Sequence, residues 1–240
     1  MIKRNLIPVI LITSCMAVIC FILLTYYQED TEYEELKRRV ITKETGQEKE
    51  KKNWLKIDWD ALPKDCIAWI HFRHPKVISY PVMQGKDNGF YLHKNYKGEY
   101  SYSGSVFADS SNNPSFTDDN TIIYGHNMAS GKMFGSLKKF RDEDYFKKNR
   151  KFTIYTRDGR RLVYKIYNAV LVKPSSKIYT YAFGSDEAKA DYLTTWMGEG
   201  LFKTDYSVGV HDRIISLSTC QYSGTKRLVL QAKLIKEETK

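Results

Sequence analysis

The pattern of apolar and polar residues divides the chain into three parts. Residues 6–27 contain no charged side chain and are dominated by Leu, Ile, Val and Phe. Residues 28–53 hold 8 acidic and 7 basic side chains, and residues 54–240 alternate short apolar runs with polar turns. Because about 20 apolar residues in a helix cover the hydrocarbon core of a bilayer, the pattern predicts a membrane-spanning segment, a charged linker and one folded domain.

The charges on either side of the apolar segment predict its orientation. Lys3 and Arg4 precede it, and three acidic residues lie within the five residues that follow it. Basic residues tend to stay on the cytoplasmic side of a membrane. A cleaved signal peptide would have a shorter apolar stretch, of about 7–15 residues, followed by small residues. We therefore expect a cytoplasmic tip and transmembrane signal-anchor over 1–27, a solvated charged stalk over 28–53 and an extracellular domain over 54–240.

Within the domain, short runs rich in β-branched and aromatic residues predict strands. The predicted strands cover 66–72, 77–83, 103–109, 120–126, 151–156, 161–172, 213–220 and 227–235. One later segment instead has Ser185 as a helix N-cap and apolar residues at helical spacing up to Met197, before Gly198. The spacing of the strands is typical of an antiparallel sandwich or a closed barrel, so we expect a mainly β fold with an amphipathic helix on the sheet.

The domain is basic, which limits its expected partners. Residues 54–240 carry 29 Lys and Arg against 20 Asp and Glu, spread along the chain. Outside a membrane, nucleic acid is not an expected partner. We expect the excess charge to favour solubility and attraction to an anionic cell envelope.

Two of the four cysteines, Cys66 and Cys220, belong to the exported domain. They could form a disulfide, as exported cysteines often do. Cys220, however, ends one predicted strand, and Arg227 begins the next. If these strands pair as a hairpin, the two residues lie opposite each other on the polar face. A neighbouring positive charge favours the thiolate, which is the nucleophilic form of cysteine.

A nucleophilic cysteine that cleaves an amide also needs a proton donor for the leaving amine, and histidine is the usual one. His126 ends a predicted strand, and Tyr124 shares its face. His71 and His74 have the spacing HxxH, but no further ligand accompanies them, so we predict no metal site. His93 is interpreted as structural.

Several segments resemble those of a known enzyme family. The segment SLSTC, residues 216–220, resembles the TLxTC nucleophile motif of sortases, with serine in place of the leading threonine. YGHNMASGKMFGSL, YPVMQGKDNGFYLHKNY and GSVFAD resemble the corresponding class B segments, as does a helix between two late strands. The resemblance implies an eight-stranded β-barrel with accessory helices behind an N-terminal transmembrane helix. It also implies a membrane-bound transpeptidase on the outer face of a Gram-positive cell, with no cofactor.

The resemblance also implies roles for particular residues. Cys220 would be the nucleophile, His126 the acid and later base, and Arg227 the group that orients the substrate carbonyl and stabilises the oxyanion. The implied substrate-binding residues are Asn88, Leu92, Tyr124, Ser175, Tyr179, Tyr181, Ser218, Thr219 and Gln221. The partners would be surface proteins with a C-terminal sorting signal, NPQTN-like or xPxTG-like, and an amine of a peptidoglycan precursor or cross-bridge.

Two alternatives remain open from the sequence. A cysteine peptidase that only hydrolyses would use the same three groups, since water and an amine can both resolve a thioacyl-enzyme. A membrane-tethered β-domain without catalytic activity would instead have a Cys66–Cys220 disulfide.

Overall fold

The computed structural model describes residues 6–43, 54–220 and 226–239. Eight of its strands close into a barrel. In chain order, the elements are α1 (Leu6–Val40), β1 (Ile41–Lys43), β2 (Leu55–Ile57), β3 (Cys66–Phe72), β4 (Ser79–Met83), β5 (Val106–Ala108), β6 (Asn120–His126), a 3-10 helix (Gly135–Arg141), α2 (Glu143–Lys148), β7 (Lys151–Thr156), β8 (Arg160–Val172), a 3-10 helix (Lys177–Tyr179), α3 (Asp186–Gly198), β9 (Ile214–Cys220) and β10 (Arg227–Thr239).

The barrel confirms the predicted fold class, but its sheet is mixed rather than antiparallel. Around the barrel the strand order is β10-β8-β7-β3-β4-β5-β6-β9, with β1 and β2 forming a separate two-stranded sheet. The β4–β5 and β6–β9 pairs are parallel. A parallel pair needs a long crossover, and the segment between β6 and β9 supplies one. The predicted hairpin between β7 and β8 is present, and Gly159 in its turn has a φ of 86°.

Aromatic side chains fill the barrel interior. The ring of Phe152 stacks on Phe72 at 4.7 Å and on Tyr164 at 5.5 Å. On the opposite face of β3, Trp69 is also fully buried, and its Nε1 donates to Ser79 Oγ at 3.0 Å. The inward-facing positions of the strands therefore form one continuous core, which fixes the strand register.

A second apolar cluster lies between the outer wall of the barrel and α3. Tyr192 and Leu193 of α3 are buried there, together with Val229 of β10. Ser185 caps the helix by accepting a hydrogen bond from the Ala188 backbone N–H at 3.3 Å. The predicted amphipathic helix is thus present, and it covers the strands next to β9.

Helix α1 is the one described helix that is long and apolar enough to cross a membrane. Its N-terminal part is exposed, whereas Tyr33, Leu36 and Val40 near its C-terminal end are buried against the barrel. This part of the chain differs from the solvated stalk expected over 28–53. The buried residues follow helical spacing and place one apolar face on the domain. Residues 44–53 of the expected stalk lie outside the described part of the chain.

Candidate active site

Three neighbouring strands bring the predicted catalytic residues into one row. In the parallel β6–β9 register, His126 pairs with Cys220. In the antiparallel β9–β10 register, Val229 pairs with Ser218, so two residues further along Arg227 is opposite Cys220. Paired residues point to the same side of a sheet. The backbone therefore places the cysteine between the histidine and the arginine, on the outer face of the barrel.

His126 sits in a buried position at the end of β6, where only 3% of its surface is exposed. Burial, together with the smaller effect of the nearby His93, whose ring centroid is 5.9 Å away, lowers the pKa of its imidazole to about 4. A hydrogen bond to the backbone of Ser103 and the negative charge of Glu29 act in the opposite direction. The net effect is an imidazole that is neutral near pH 7, because its charged form is poorly solvated.

The backbone segment beside His126 is held by helix α1. The two carboxylate oxygens of Glu29 accept hydrogen bonds from the N–H groups of Tyr102 and Ser103, at 2.8 and 3.2 Å. The Ser103 hydroxyl also donates to Glu29, at 2.7 Å. Helix α1 thus contacts the backbone segment that hydrogen-bonds the imidazole.

The loop that follows His126 folds back tightly on β6. The N–H of Phe134 donates to the carbonyl of His126 at 3.0 Å, and Asn127 bridges to Met133. A Cβ on Gly125 would come within 2.7 Å of the buried Phe134 ring. Glycine is therefore required in the YGH segment by this ring, which packs directly against the backbone.

Polar contacts link Tyr124 to the loop that carries Asn88. The Tyr124 hydroxyl donates to Asp109 Oδ2 at 2.9 Å, and the Asn88 amide donates to the same oxygen at 2.8 Å. Burial and the Asp109 carboxylate both raise the pKa of Tyr124 above its ordinary value. Tyr124 is therefore a neutral hydrogen-bonding group, and Asp109 joins two of the predicted substrate-binding residues.

Tyr179 covers the row from the loop before α3. Its hydroxyl lies 3.0 Å from Ser218 Oγ, and its ring centroid lies 6.0 Å from that of Tyr124. The guanidinium carbon of Arg227 lies 6.0 Å from the centroid of the Tyr179 ring. Tyr179 thus brings three of the predicted residues together at the outer face of the barrel.

The remaining predicted substrate-binding residues are placed less centrally. The backbone carbonyl of Tyr181 accepts from the N–H of Asn120, at the opposite end of β6 from His126, so Tyr179 is the tyrosine of this loop that reaches the row. Ser175 is exposed, and Leu92 packs on the barrel core. The Thr219 hydroxyl bonds both backbone groups of Leu228, so contact with a substrate would involve its main chain. Gln221 lies outside the described residues.

Cys66 is a free cysteine, so the Cys66–Cys220 disulfide of the non-catalytic alternative is absent from the structure. The thiol of Cys66 is buried, and burial raises its pKa to about 12. Its strand, β3, lies four strands from β9 in either direction around the barrel. The two cysteines are therefore on opposite walls, and only Cys220 belongs to the row.

Sequence reasoning missed two residues of this region. Asp109 lies within the quoted segment GSVFAD, but nothing in the segment itself indicated that Tyr124 and Asn88 would converge on its carboxylate. His93 was interpreted as structural, yet its ring lies beside that of His126. Both contacts join distant parts of the chain, and local sequence patterns do not report such pairs.

The arrangement has the parts needed for acyl transfer through a thioester. A cysteine position lies beside a neutral imidazole that can accept its proton, and a fixed positive charge lies on the other side. The aromatic ring of Tyr179 lies beside this row, in contact with Ser218 and Tyr124.

The sequence and the fold of this chain are similar to those of known proteins. The family model described as the sortase domain matches residues 75–235. A sortase B of Listeria monocytogenes is 34% identical over 183 residues, which cover 74% of this chain and 73% of the relative. A sortase B of Staphylococcus aureus is 30% identical over 180 residues, with coverage of 74% and 73%. The crystal structure of sortase B from B. anthracis in complex with AAEK1 matches with a TM-score of 0.77 at 32% identity, covering 89% of this chain and 99% of that one.

Proposed function

The chain belongs to the sortase family, and we propose that it is a membrane-anchored transpeptidase that attaches surface proteins to the cell wall. Its substrate would carry a C-terminal sorting signal, NPQTN-like or xPxTG-like, cleaved after threonine. The acceptor would be an amine of a peptidoglycan precursor or cross-bridge. The barrel domain, which carries His126, Cys220 and Arg227, would lie outside the cell, and the N-terminus of the chain would lie in the cytoplasm.

The proposed reaction has two acyl transfers. The Cys220 sulfur attacks the threonine carbonyl carbon, and the bond from that carbon to the next residue's nitrogen breaks. His126 gives a proton to this nitrogen as it leaves. The acceptor amine then attacks the thioester, loses a proton to His126 and releases the thiol. Arg227 stabilises the oxyanion that forms in both steps.

The lowered pKa of His126 defines its part in the first step. Because the imidazole is neutral at pH 7, it accepts the thiol proton as the sulfur attacks. The same proton then goes to the departing amine. In this description Cys220 and His126 are both uncharged at rest. The guanidinium of Arg227 favours the thiolate–imidazolium pair only as the reaction begins.

The observation that carries the proposal is the row formed by β6, β9 and β10. The β6–β9 register sets the histidine beside the cysteine, and the β9–β10 register sets the arginine opposite it. We assign substrate contacts to the surface around this row. The residues assigned are Asn88, Leu92, Tyr124, Ser175, Tyr179, Ser218, Thr219 and Gln221.

Helix α1 supports the proposed anchoring. The apolar residues Leu11, Phe21 and Leu24 are 60%, 71% and 60% exposed. Exposed apolar surface of this extent is unfavourable in water and marks a membrane or protein contact. A bilayer around the apolar residues would cover it and leave the barrel at the membrane surface.

The test uses the full chain in neutral detergent micelles, mixed with a panel of sorting-signal peptides. Each peptide is incubated with and without an amine acceptor, and products are identified by mass. The variants Cys220→Ala, His126→Ala and Arg227→Ala are assayed in parallel. We expect cleavage after threonine that requires all three residues, and a product heavier by the mass of the amine less that of water relative to the hydrolysed peptide.

Two results would contradict the proposal. Cleavage that never yields an amine adduct would assign a hydrolytic cysteine peptidase. Cleavage that persists in Cys220→Ala would remove the cysteine from the chemistry. The peptide that is cleaved fastest would identify the sorting signal.

A further inference from the structure

A second concave surface lies on the barrel wall, and cationic side chains line it. We call it the basic cleft, and its volume is about 400 Å³. It is lined by Arg73, His74, Lys147, Lys148, Asn149, Arg150, Lys151 and Lys165. These residues come from the β3–β4 loop, the end of α2, the start of β7 and the middle of β8. No carboxylate is among the described side chains that line it.

The basic cleft is separate from the candidate active site. Lys165 lies seven residues before Val172 on β8, and Val172 pairs with Arg227. At about 3.3 Å per residue, this spacing corresponds to roughly 20 Å along the strand. A ligand in the cleft would therefore not overlap a peptide bound at the row.

Lysines are paired with lysines across the strands beside the cleft. Lys165 pairs with Lys151 on β7 and with Lys233 on β10. Like charges directly opposite each other destabilise a sheet. Asp212 offsets the charge of Lys233 at 2.7 Å, but among the described residues no carboxylate lies within ion-pair distance of Lys151 or Lys165. The unpaired like charges at this surface would be stabilised by an anionic partner.

Two of the cations are held in place before any ligand binds. The guanidinium of Arg150 lies 4.9 Å from the Phe146 ring and donates to Thr204 Oγ1 at 3.3 Å. Its Nε is buried and has no hydrogen-bond acceptor among the described residues. Lys165 Nζ lies 4.0 Å from the centroid of the Tyr206 ring. Ordered cations lose less conformational entropy when they bind an anion.

We propose that the basic cleft binds phosphate groups, either from a soluble phosphate ester or from an anionic lipid headgroup. Lysine binds phosphate as a point charge, and arginine adds directed donors. A single carboxylate would neutralise only one of the cationic side chains of the cleft. A chain of phosphate groups, or several lipid headgroups, would offer negative charge and hydrogen-bond acceptors to several of these side chains. The inference does not depend on the activity proposed for Cys220.

The experiment measures binding to the full chain in neutral detergent micelles by calorimetry. One arm titrates inorganic tripolyphosphate as the soluble source. The other arm adds phosphatidylglycerol to the micelles, with the same amount of phosphatidylcholine as its reference, and measures whether the lipid displaces a fluorescent tripolyphosphate. Lys151→Ala and Lys165→Ala remove the central charges, and Lys56→Ala removes an exposed lysine on β2 as the matched control.

We expect Lys151→Ala and Lys165→Ala each to weaken binding by about tenfold, the size of one charge-assisted hydrogen bond. Lys56→Ala should bind like the parent chain, and added salt should weaken binding in all variants that bind. Displacement by phosphatidylglycerol supports the lipid source, and tripolyphosphate binding without displacement supports the soluble source. Absence of tripolyphosphate binding, or equal weakening in Lys56→Ala, would overturn the proposal.

Discussion

At the scale of single residues, the buried position of His126 sets the pH dependence expected for cleavage. The imidazole and the Cys220 thiol titrate as a pair, so activity follows two macroscopic pKa values. Because burial lowers the pKa of His126 to about 4, we expect a bell-shaped kcat/KM profile whose acid limb lies below the ordinary value for histidine, about 6.5. Peptide cleavage between about pH 4 and 10 measures it. An acid limb centred above 6.5, or a profile with no basic limb up to about pH 10, would contradict the expectation.

The same lowered pKa predicts a pH dependence of stability. Between its folded pKa of about 4 and its unfolded value of 6.5, His126 binds fewer protons in the native state than in the unfolded state. Stability therefore rises with pH in this window and is lost as pH falls through it. Relative to pH 7, we expect the parent chain to lose about 2 kcal/mol more than His126→Gln by pH 5.

Denaturant unfolding of both proteins in neutral detergent micelles gives this difference at each pH. Subtraction removes the titrations that the two proteins share and leaves that of the imidazole, including its coupling to His93. A difference that does not change between pH 7 and pH 5 would show that the imidazole is solvated in the folded chain.

At this scale the candidate catalytic residues could be selected from the sequence, but the residues that contact the site could not. Cys220, His126 and Arg227 each stand at the end of a predicted strand beside a recognisable motif, so they could be selected from the sequence. Asp109 could not be selected, because its contacts come from a neighbouring strand and a distant loop. Tyr179 and Tyr181 were equivalent in the sequence, and only the packing of the loop distinguishes them.

At the scale of elements, the loop after β6 should tolerate little change at Gly135. A Cβ there would overlap the carbonyl oxygen of Met128 and lie 2.9 Å from its nitrogen. Backbone atoms cannot yield as a side chain can, so Gly135→Ala should displace the loop that returns to His126. We expect a loss of about 1–3 kcal/mol in unfolding free energy and a larger relative loss of peptide cleavage.

Gly184→Ala is the control, because a Cβ at Gly184 meets no atom within 4 Å. Denaturant unfolding and peptide cleavage are measured for both variants. If Gly135→Ala matched Gly184→Ala in both, the tight loop would not be needed to hold the histidine.

A buried hydroxyl helps Asn120 to hold the loop that carries Tyr179. The hydroxyl of Tyr192 donates to the carbonyl of Ile178 at 2.7 Å and accepts from Gln231 at 2.9 Å. Tyr192→Phe leaves the Ile178 carbonyl with only the longer hydrogen bond from the Asn120 amide, at 3.4 Å, and removes an acceptor of the Gln231 amide, which costs about 1–3 kcal/mol. Since Tyr179 follows Ile178, we expect a rise in KM for the sorting-signal peptide. Tyr181→Phe, which removes a more exposed hydroxyl, should leave KM unchanged, and an equal effect of both variants would refute the role of the buried hydroxyl.

The element that sequence reasoning did not anticipate is the parallel pairing of β6 with β9. The strand spacing indicated neighbours joined by hairpins, and hairpins are antiparallel. The β6–β9 pair joins segments separated by a long crossover, so no turn signal marks it. This pair is nevertheless what sets His126 beside Cys220, and only the resemblance to a known family connected the two in advance.

At the scale of the whole molecule, helix α1 belongs both to the proposed anchor and to the folded domain. The buried positions Tyr33, Leu36 and Val40 repeat at helical spacing, a signal present in the sequence but obscured by the dense charges around it. Some of those charges are partners rather than solvated groups. Glu32 pairs with Lys97, and Asp30 pairs with Lys132. The end of the apolar helix is thereby fixed to the barrel near the loop that follows His126.

Glu29 is the residue through which this helix should influence catalysis. Its carboxylate accepts from the N–H of Tyr102 and from both donors of Ser103, and Ser103 hydrogen-bonds His126 through its backbone. In Glu29→Gln an amide NH₂ would face a donor, so the segment should shift. We expect kcat/KM to fall by about tenfold, the effect of one charge-assisted hydrogen bond. The acid limb should also move to lower pH, because the charge of Glu29 raises the pKa of His126.

Glu34→Gln is the matched control, since Glu34 is on the same helix and pairs only with the nearby Lys37, at 3.0 Å, among the described residues. It should leave kcat/KM and the pH profile unchanged, and Glu29→Asp should retain part of the activity because it keeps the charge. A purely structural role for Glu29 would lower stability without moving the acid limb. If Glu29→Gln shows a normal pH profile and normal kcat/KM, the helix anchors the barrel but does not position the histidine.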